Sequence, residues 1–150
     1  MSFTSTTLVD DSFKTIVKAS GIGNETKSVL LDASELLGAT SSPNLSIAKI
    51  YYEIQGSGTL IFYFDAETDE EVYSITGKGV YGLRVNEPKI KQEDTGVTLT
   101  NPTGDVLITT DNNITRYNLV IEFIKEKGFT NGWYSFITGF NRYYRCQIWC

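Results

Sequence analysis

The residues of this chain best suited to chemistry are carboxylates, and the densest group of them is the stretch 65-DAETDEE-71. Alternating acids on a loop can surround a calcium ion with oxygens at about 2.3–2.6 Å. Asp65, Glu67, Asp69, Glu70 and Glu71 nevertheless lack the turn glycine and the distant bidentate glutamate of an EF-hand. The stretch reads as a solvated acidic loop, and no metal or other cofactor is expected. A carboxylate pair that hydrolyses a glycoside is a second acid chemistry, but nothing in the spacing says which two acids would face each other. The chain has no histidine, which removes Ser/His/Asp and Cys/His nucleophiles along with the commonest general base. Gly77-Lys78-Gly79 lacks the spacing of a phosphate loop and reads as a turn. Cys146 and Cys150 form a Cys-x3-Cys. Two ligands rarely close a zinc site, so free thiols are expected, with a disulfide or an intermolecular bridge as the alternative. The Asn-x-Ser/Thr matches at Asn24, Asn44 and Asn113 read as chance without a secretory signal. No catalytic residue emerges, and the chain is expected not to be an enzyme.

The elements that would position any site read as short strands. A chain of 150 residues fits one domain. The net charge of −5 comes without a Lys/Arg cluster, so nucleic acid is a poor partner for the body. No basic start followed by an apolar core opens the sequence, and no run is long enough for a membrane span. Synthesis in a cytosol is the expectation. Residues 1–10 are rich in Ser and Thr and read as an N-terminal arm. Strands are expected at Phe13–Ala19 and Ser28–Asp32. They are followed by a single helical turn in 32-DASELLG-38, which Asp32 caps, Gly38 stops, and which crosses between sheets.

Leu45–Ile54 alternates, with Ala48, Ile50, Tyr52 and Ile54 on one face and Lys49 and Glu53 on the other. Thr59–Asp65 follows with Leu60, Phe62 and Phe64 inward, and the pair reads as a hairpin. Further strands are expected at Val72–Thr76, Val80–Val85, Val97–Thr100, Val106–Thr110 and Tyr117–Lys125. The last is expected to be central, with Tyr117, Leu119, Ile121 and Phe123 on its apolar face. Eight or nine short strands predict an all-β, single β-sandwich over residues 11–129, jelly-roll-like, with an immunoglobulin-like topology as the alternative. The strand tyrosines Tyr51, Tyr52, Tyr63, Tyr73, Tyr81 and Tyr117 raise one binding possibility. Exposed tyrosine rings stack on sugars, although tyrosine is also an ordinary strand residue with a buried ring and a wet hydroxyl.

The C-terminal extension, residues 130–150, departs from this pattern. It holds seven of the chain's nineteen aromatics in 21 residues and follows neither a helical nor a strand period. It carries Arg142 and Arg145 and no acid, so the net −5 divides into +2 on the extension and −7 on the body. Such an aromatic patch usually marks an interface. Trp133, Tyr134, Phe136, Phe140, Tyr143, Tyr144 and Trp149, with Arg142 and Arg145, are therefore the expected contacts of a docking arm. A further strand of the same sheet and an extension without a role are the alternatives.

The order of features in 12-SFKTIVKASGIGNETKSVLLDASELLGATSSPNLSIAKI-50 carries a family resemblance. A Phe-Lys strand is followed by a Gly-x-Gly-Asn turn, a Leu-Leu-Asp-Ala step, a small-residue loop and a Leu-Ser-Ile strand. With 104-GDVLITT-110 and 119-LVIEFIKEKGF-129, these segments cover most of residues 11–129. In them the body resembles a small virion structural protein of tailed phages that infect marine bacteria, especially cyanobacteria. The resemblance implies a non-enzymatic β-sandwich that decorates or cements the particle, with the capsid as its first expected place. Its partners would be other virion proteins, in first place the major capsid protein, or further copies of itself. It implies location in the virion after synthesis in the host cytoplasm, and it brings no catalytic residues. The extension beyond Phe129 departs from the family pattern, which leaves its role open. A carbohydrate- or receptor-binding β-sandwich of a fibre or adhesin is the alternative function.

If the extension is a docking arm, deleting residues 130–150 leaves a soluble chain with nearly unchanged melting temperature but removes it from purified particles. A truncated chain that unfolds or aggregates would instead place the extension in the chain's own core.

Overall fold

In the computed structural model, which describes residues 3–130, the chain is a sandwich of two antiparallel sheets. Nine strands run in order: β1 Phe3–Asp10, β2 Lys14–Gly21, β3 Ser28–Leu31, β4 Leu45–Gly56, β5 Leu60–Phe64, β6 Glu70–Ile75, β7 Lys78–Tyr81, β8 Val106–Thr110 and β9 Ile114–Lys125. The first sheet has the order β1-β2-β9-β4-β7 and the second β3-β8-β5-β6. From β2 onward, the strands divide into two sets of four, β2-β9-β4-β7 and β3-β8-β5-β6, and every connection crosses between the sheets except the β5–β6 hairpin; this is the jelly roll, with β1 added at one edge. The immunoglobulin-like alternative does not hold, because β2, β4, β7 and β9 all share one sheet.

Period-two patterning builds the core. Leu60, Phe62 and Phe64 of β5 are fully buried, as are Tyr117, Leu119, Ile121 and Phe123 of β9. β9 is central, hydrogen-bonded to β2 on one side and β4 on the other. In β4 the expected face is broken. A bulge between Ile47 and Lys49 resets the alternation, so Ile47 and Ile50 both point inward while Ala48 is only half-buried. Tyr52 also lies inward but half-buried, at the rim of the sandwich. Opposite it stands Gly79, where a Cβ would come within 2.7 Å of the Tyr52 hydroxyl, so β7 has no side chain there.

Four further expectations differ from the fold. β4 and β5 do not form a hairpin: both edges of β4 are taken by β9 and β7, and the chain crosses to the other sheet after Gly56, which has φ 103°. A hairpin and a sheet-crossing connection carry the same alternation, so the pattern could not separate them. Residues 3–10 are not a loose arm. They pair with β2 from Phe3↔Gly21 to Asp10↔Thr15, although they hold few apolar residues. Val97–Thr100 is irregular, and the seventh strand stops at Tyr81 rather than Val85. There Glu87 accepts hydrogen bonds from the backbone N–H groups of Gly82 and Leu83 and folds residues 82–87 into a turn. The 3₁₀ turn Ala33–Glu35 forms as expected, with the Asp32 carboxylate accepting from the Ser34 N–H.

One buried charge ties the ends of this fold together. The Lys125 side chain is fully buried, and its ammonium donates to Asp10 Oδ1 at 2.6 Å, to the Asp11 carbonyl at 2.7 Å and to the Leu37 carbonyl at 2.8 Å. All three of its protons are thereby used. The ammonium also lies 5.2 Å from the centroid of the Phe129 ring. Thr130 N–H donates to the Gly38 carbonyl, so the described body runs one residue past Phe129.

Two substitutions test this account by denaturant unfolding. Phe62→Ala or Phe123→Ala is expected to cost about 3–5 kcal/mol, the range for a large ring removed from a closed core. Lys125→Ala is expected to cost about 3 kcal/mol, because it strips the partner from Asp10 and leaves two carbonyls without their donor. A parent-like midpoint in Lys125→Ala would show that the clasp contributes nothing to stability.

Candidate binding surfaces

The residues put forward from the sequence fall in different places. Trp133, Tyr134, Phe136, Phe140, Arg142, Tyr143, Tyr144, Arg145 and Trp149 lie outside the described residues, as do Cys146 and Cys150. The acids of the 65–71 loop do not gather into one site, although Asp65 and Asp69 meet. Asp65 accepts from the Thr103 hydroxyl, Glu67 from the Asn101 amide and Asp69 from the Ala66 N–H, and Asp69 also pairs with Lys27 at 3.1 Å. Burial pushes the Asp69 carboxyl up, but the bonds from Lys27 and Ala66 outweigh it and hold the group below its ordinary value. Among the described residues, no group of three or more His, Cys, Asp or Glu is arranged to hold a metal ion.

The six strand tyrosines separate by environment. Tyr117 is wholly inside, and burial first, then the charge of Glu25, drives its phenol pKa far up. Tyr73 and Tyr81 pack on each other at the sandwich rim with ring centroids 5.0 Å apart, beside Tyr52. Tyr63 is half-buried beneath the Lys27 ammonium. Tyr51 alone of the six is exposed, at 50%.

Tyr51 stands on the outer face of the five-stranded sheet, and the strand register says what surrounds it. Lys18, Val120, Tyr51 and Val80 form one row across β2, β9, β4 and β7. The adjoining row is Ser20, Asn118, Glu53 and Lys78. All of these but Ser20 line a shallow, mostly apolar depression of about 380 Å³. The row on the other side is closed on itself: Glu122 lies 3.8 Å from Lys14 and 3.7 Å from Lys49. The alternation of β4 marked Glu53 as outward, but it did not reveal that Lys18, Asn118 and Lys78 share its patch. That neighbourhood depends on register between strands distant in sequence.

A second surface is the edge of the same sheet. β1 is eight residues long, seven of them exposed, and reads FTSTTLVD with no lysine or proline. It bonds to β2 on one side, and among the described residues no strand pairs with its other side. Lysine, proline and shortness are the usual guards of an edge strand. β1 has none of these, and its one irregularity is a bulge between Thr7 and Val9.

Comparison with known proteins gives no family model and no curated protein that matches this chain. Among solved structures it is similar to Peruvianin-I, a cysteine peptidase from Thevetia peruviana latex, with a TM-score of 0.41 and 7% identity over 85% of this chain; the match spans 64% of the peptidase. It is also similar to family 29 carbohydrate-binding modules. One is a CBM29-2 mutant, with a TM-score of 0.37 and 9% identity over 83% of this chain and 87% of the module. The other has a TM-score of 0.38 and 8% identity over 85% of this chain and 91% of the module. At these scores the likenesses transfer no residue role.

The acidic side of the pH profile gives a test of the charged contacts. Burial raises the Glu126 carboxyl, but the Lys89 ammonium and the Ser46 hydroxyl outweigh it and hold the group below its ordinary value. The N–H groups of Phe13 and Lys14 do the same for Asp11. A carboxyl depressed in the folded state contributes stability that is present above its unfolded pKa and is lost as pH falls through its folded one. Stability is therefore expected to hold at neutral pH and to fall below pH ~4. Glu126→Gln should flatten part of that fall, and excess chelator at neutral pH should leave the melting temperature unchanged. A melting point that drops with chelator would mean that the 65–71 loop binds calcium.

Proposed function

We propose that this protein is a non-enzymatic structural subunit of a phage particle, a decorating or cementing β-sandwich held by contacts with other subunits. The observation that carries an assembly role is the unguarded β1 edge. A long, exposed edge strand whose one charged residue, Asp10, is engaged by Lys125 offers its backbone donors and acceptors to a strand from another chain, and main-chain pairing of that kind gives affinity without a specific pocket. The assignment to a virion comes from the resemblance over residues 12–50, 104–110 and 119–129. The major capsid protein is the first partner this implies, with further copies of this chain as the second. Repetition on a symmetric lattice lets each contact be weak while the whole coat is retained. The aromatic, positively charged 130–150 segment supplies a second contact to an acidic neighbour.

The test is stoichiometry. The protein should co-purify with capsid shells in a fixed ratio. Thr4→Lys combined with Thr6→Lys, which places charge on the edge strand, should cut incorporation severely while the melting temperature stays near that of the parent. Full incorporation of the doubly charged variant would mean that the edge is not the contact. Absence of the protein from shells would remove the virion reading itself.

A further inference from the structure

We infer that the outer face of the five-stranded sheet, centred on Tyr51, is a saccharide-binding platform for a pyranoside chain. The inference is independent of the virion assignment and of the β1 edge.

The floor of the platform is mostly apolar. Val120, Tyr51 and Val80 stand side by side on three adjacent strands, a strip roughly 10 Å across at two strand spacings. Tyr51 is half-exposed in the middle of it. An exposed tyrosine ring between two aliphatic side chains can offer an apolar surface to the C–H face of a sugar ring and its hydroxyl to the sugar's rim.

The rim supplies what a sugar needs and a protein core does not. Asn118 offers both an amide donor and an acceptor, Glu53 an acceptor, and Lys18 and Lys78 donors. Among the described residues, none of these four side chains has a hydrogen bond or ion pair within the protein. The contrast is with the neighbouring row on the same face, where Glu122 is shared by Lys14 and Lys49. Glu53 and Lys78 sit directly opposite each other in register and still do not pair. A face that satisfies its own charges on one side and leaves donors and acceptors open around an exposed ring on the other is arranged for a ligand rich in hydroxyls. A strand-addition partner would need a sheet edge, which this face is not. A nucleic-acid partner would need a basic track, and the whole chain is acidic at −5. The two lysines outnumber Glu53, so chains that contain uronate units should bind at least as well as neutral ones.

The experiment uses the full chain on an array of neutral gluco-, manno- and xylo-oligosaccharides together with uronate oligosaccharides. The expected result is binding of at least one class, with Tyr51→Ala weakening it roughly tenfold or more and Tyr51→Phe retaining most of it. Glu53→Ala with Asn118→Ala, both exposed, should weaken it similarly, which keeps the test open if Tyr51→Ala misfolds. Lys49→Ala, outside the strip, should bind like the parent. No binding to any probe at millimolar concentration overturns the proposal, as does binding that the Tyr51 and Glu53/Asn118 variants leave unchanged. Particle incorporation should be normal in Tyr51→Ala. If incorporation falls and no sugar binds, the face is a subunit contact and the platform is refuted, while the assembly reading stands.

Discussion

The whole structure depends on one constraint: two apolar sheet faces must be buried against each other, and β9 sits at the centre of that contact. Its inward residues Tyr117, Leu119, Ile121 and Phe123 are fully buried, and so are Leu60, Phe62 and Phe64 on β5 of the opposite sheet. Because side chains alternate with period two, fixing this face inward fixes the other outward. Asn118, Val120 and Glu122 are thereby committed to the outer surface of the sheet. β2 and β4 pair on either side of β9, so their outward residues fall into rows with those of β9. The Tyr51 patch is thus a consequence of how the core is built.

The second constraint is the clasp at Lys125. A buried ammonium is costly unless its protons are satisfied. Here all three go to acceptors from two different parts of the chain, Asp10 and Asp11 at the end of β1 and Leu37 before β4. The contact joins positions more than a hundred residues apart in sequence. It holds the β1–β2 hairpin against the end of β9, where Phe129 covers the ammonium with its ring. β1 has little apolar surface to bury: seven of its eight residues are exposed. Its place in the sheet rests on the ladder to β2, on this charged anchor and on the bond from the Ser5 hydroxyl to the Leu30 carbonyl. A strand held at one side by polar contacts, and paired at the other by no strand among the described residues, is well suited to join a neighbouring chain without disturbing the core.

The proposed assembly edge and the proposed saccharide platform therefore occupy separate parts of the molecule. The β1 edge offers backbone groups, which recognise an extended strand whatever its sequence. The outer sheet face offers one exposed tyrosine ring, an aliphatic strip and polar groups that have no partner among the described residues, and these are what the proposed platform would use. The 65–71 acids take part in neither, since their partners are neighbouring backbone, Thr103, Asn101 and Lys27.

Period and turn chemistry in the sequence determined the all-β class, the inward faces of β5 and β9, the central place of β9, and the capped 3₁₀ turn at Asp32. These are local properties, set by the alternation of apolar residues and by side chains that bond to nearby backbone. Only the tertiary structure decided the rest. Which strands pair is a long-range matter, so a sheet-crossing connection after Gly56 looked the same as a hairpin. The bulge at Ala48 moved Ile47 and Ile50 onto one face, against simple alternation. The polar FTSTTLVD segment became a strand because β2 and the Lys125 clasp hold it, although its own pattern does not call for one. Tyr51 was one of six similar tyrosines in the sequence. Its exposure, and its alignment with Lys18, Val120 and Val80, exist only because strand register brings distant residues into one row.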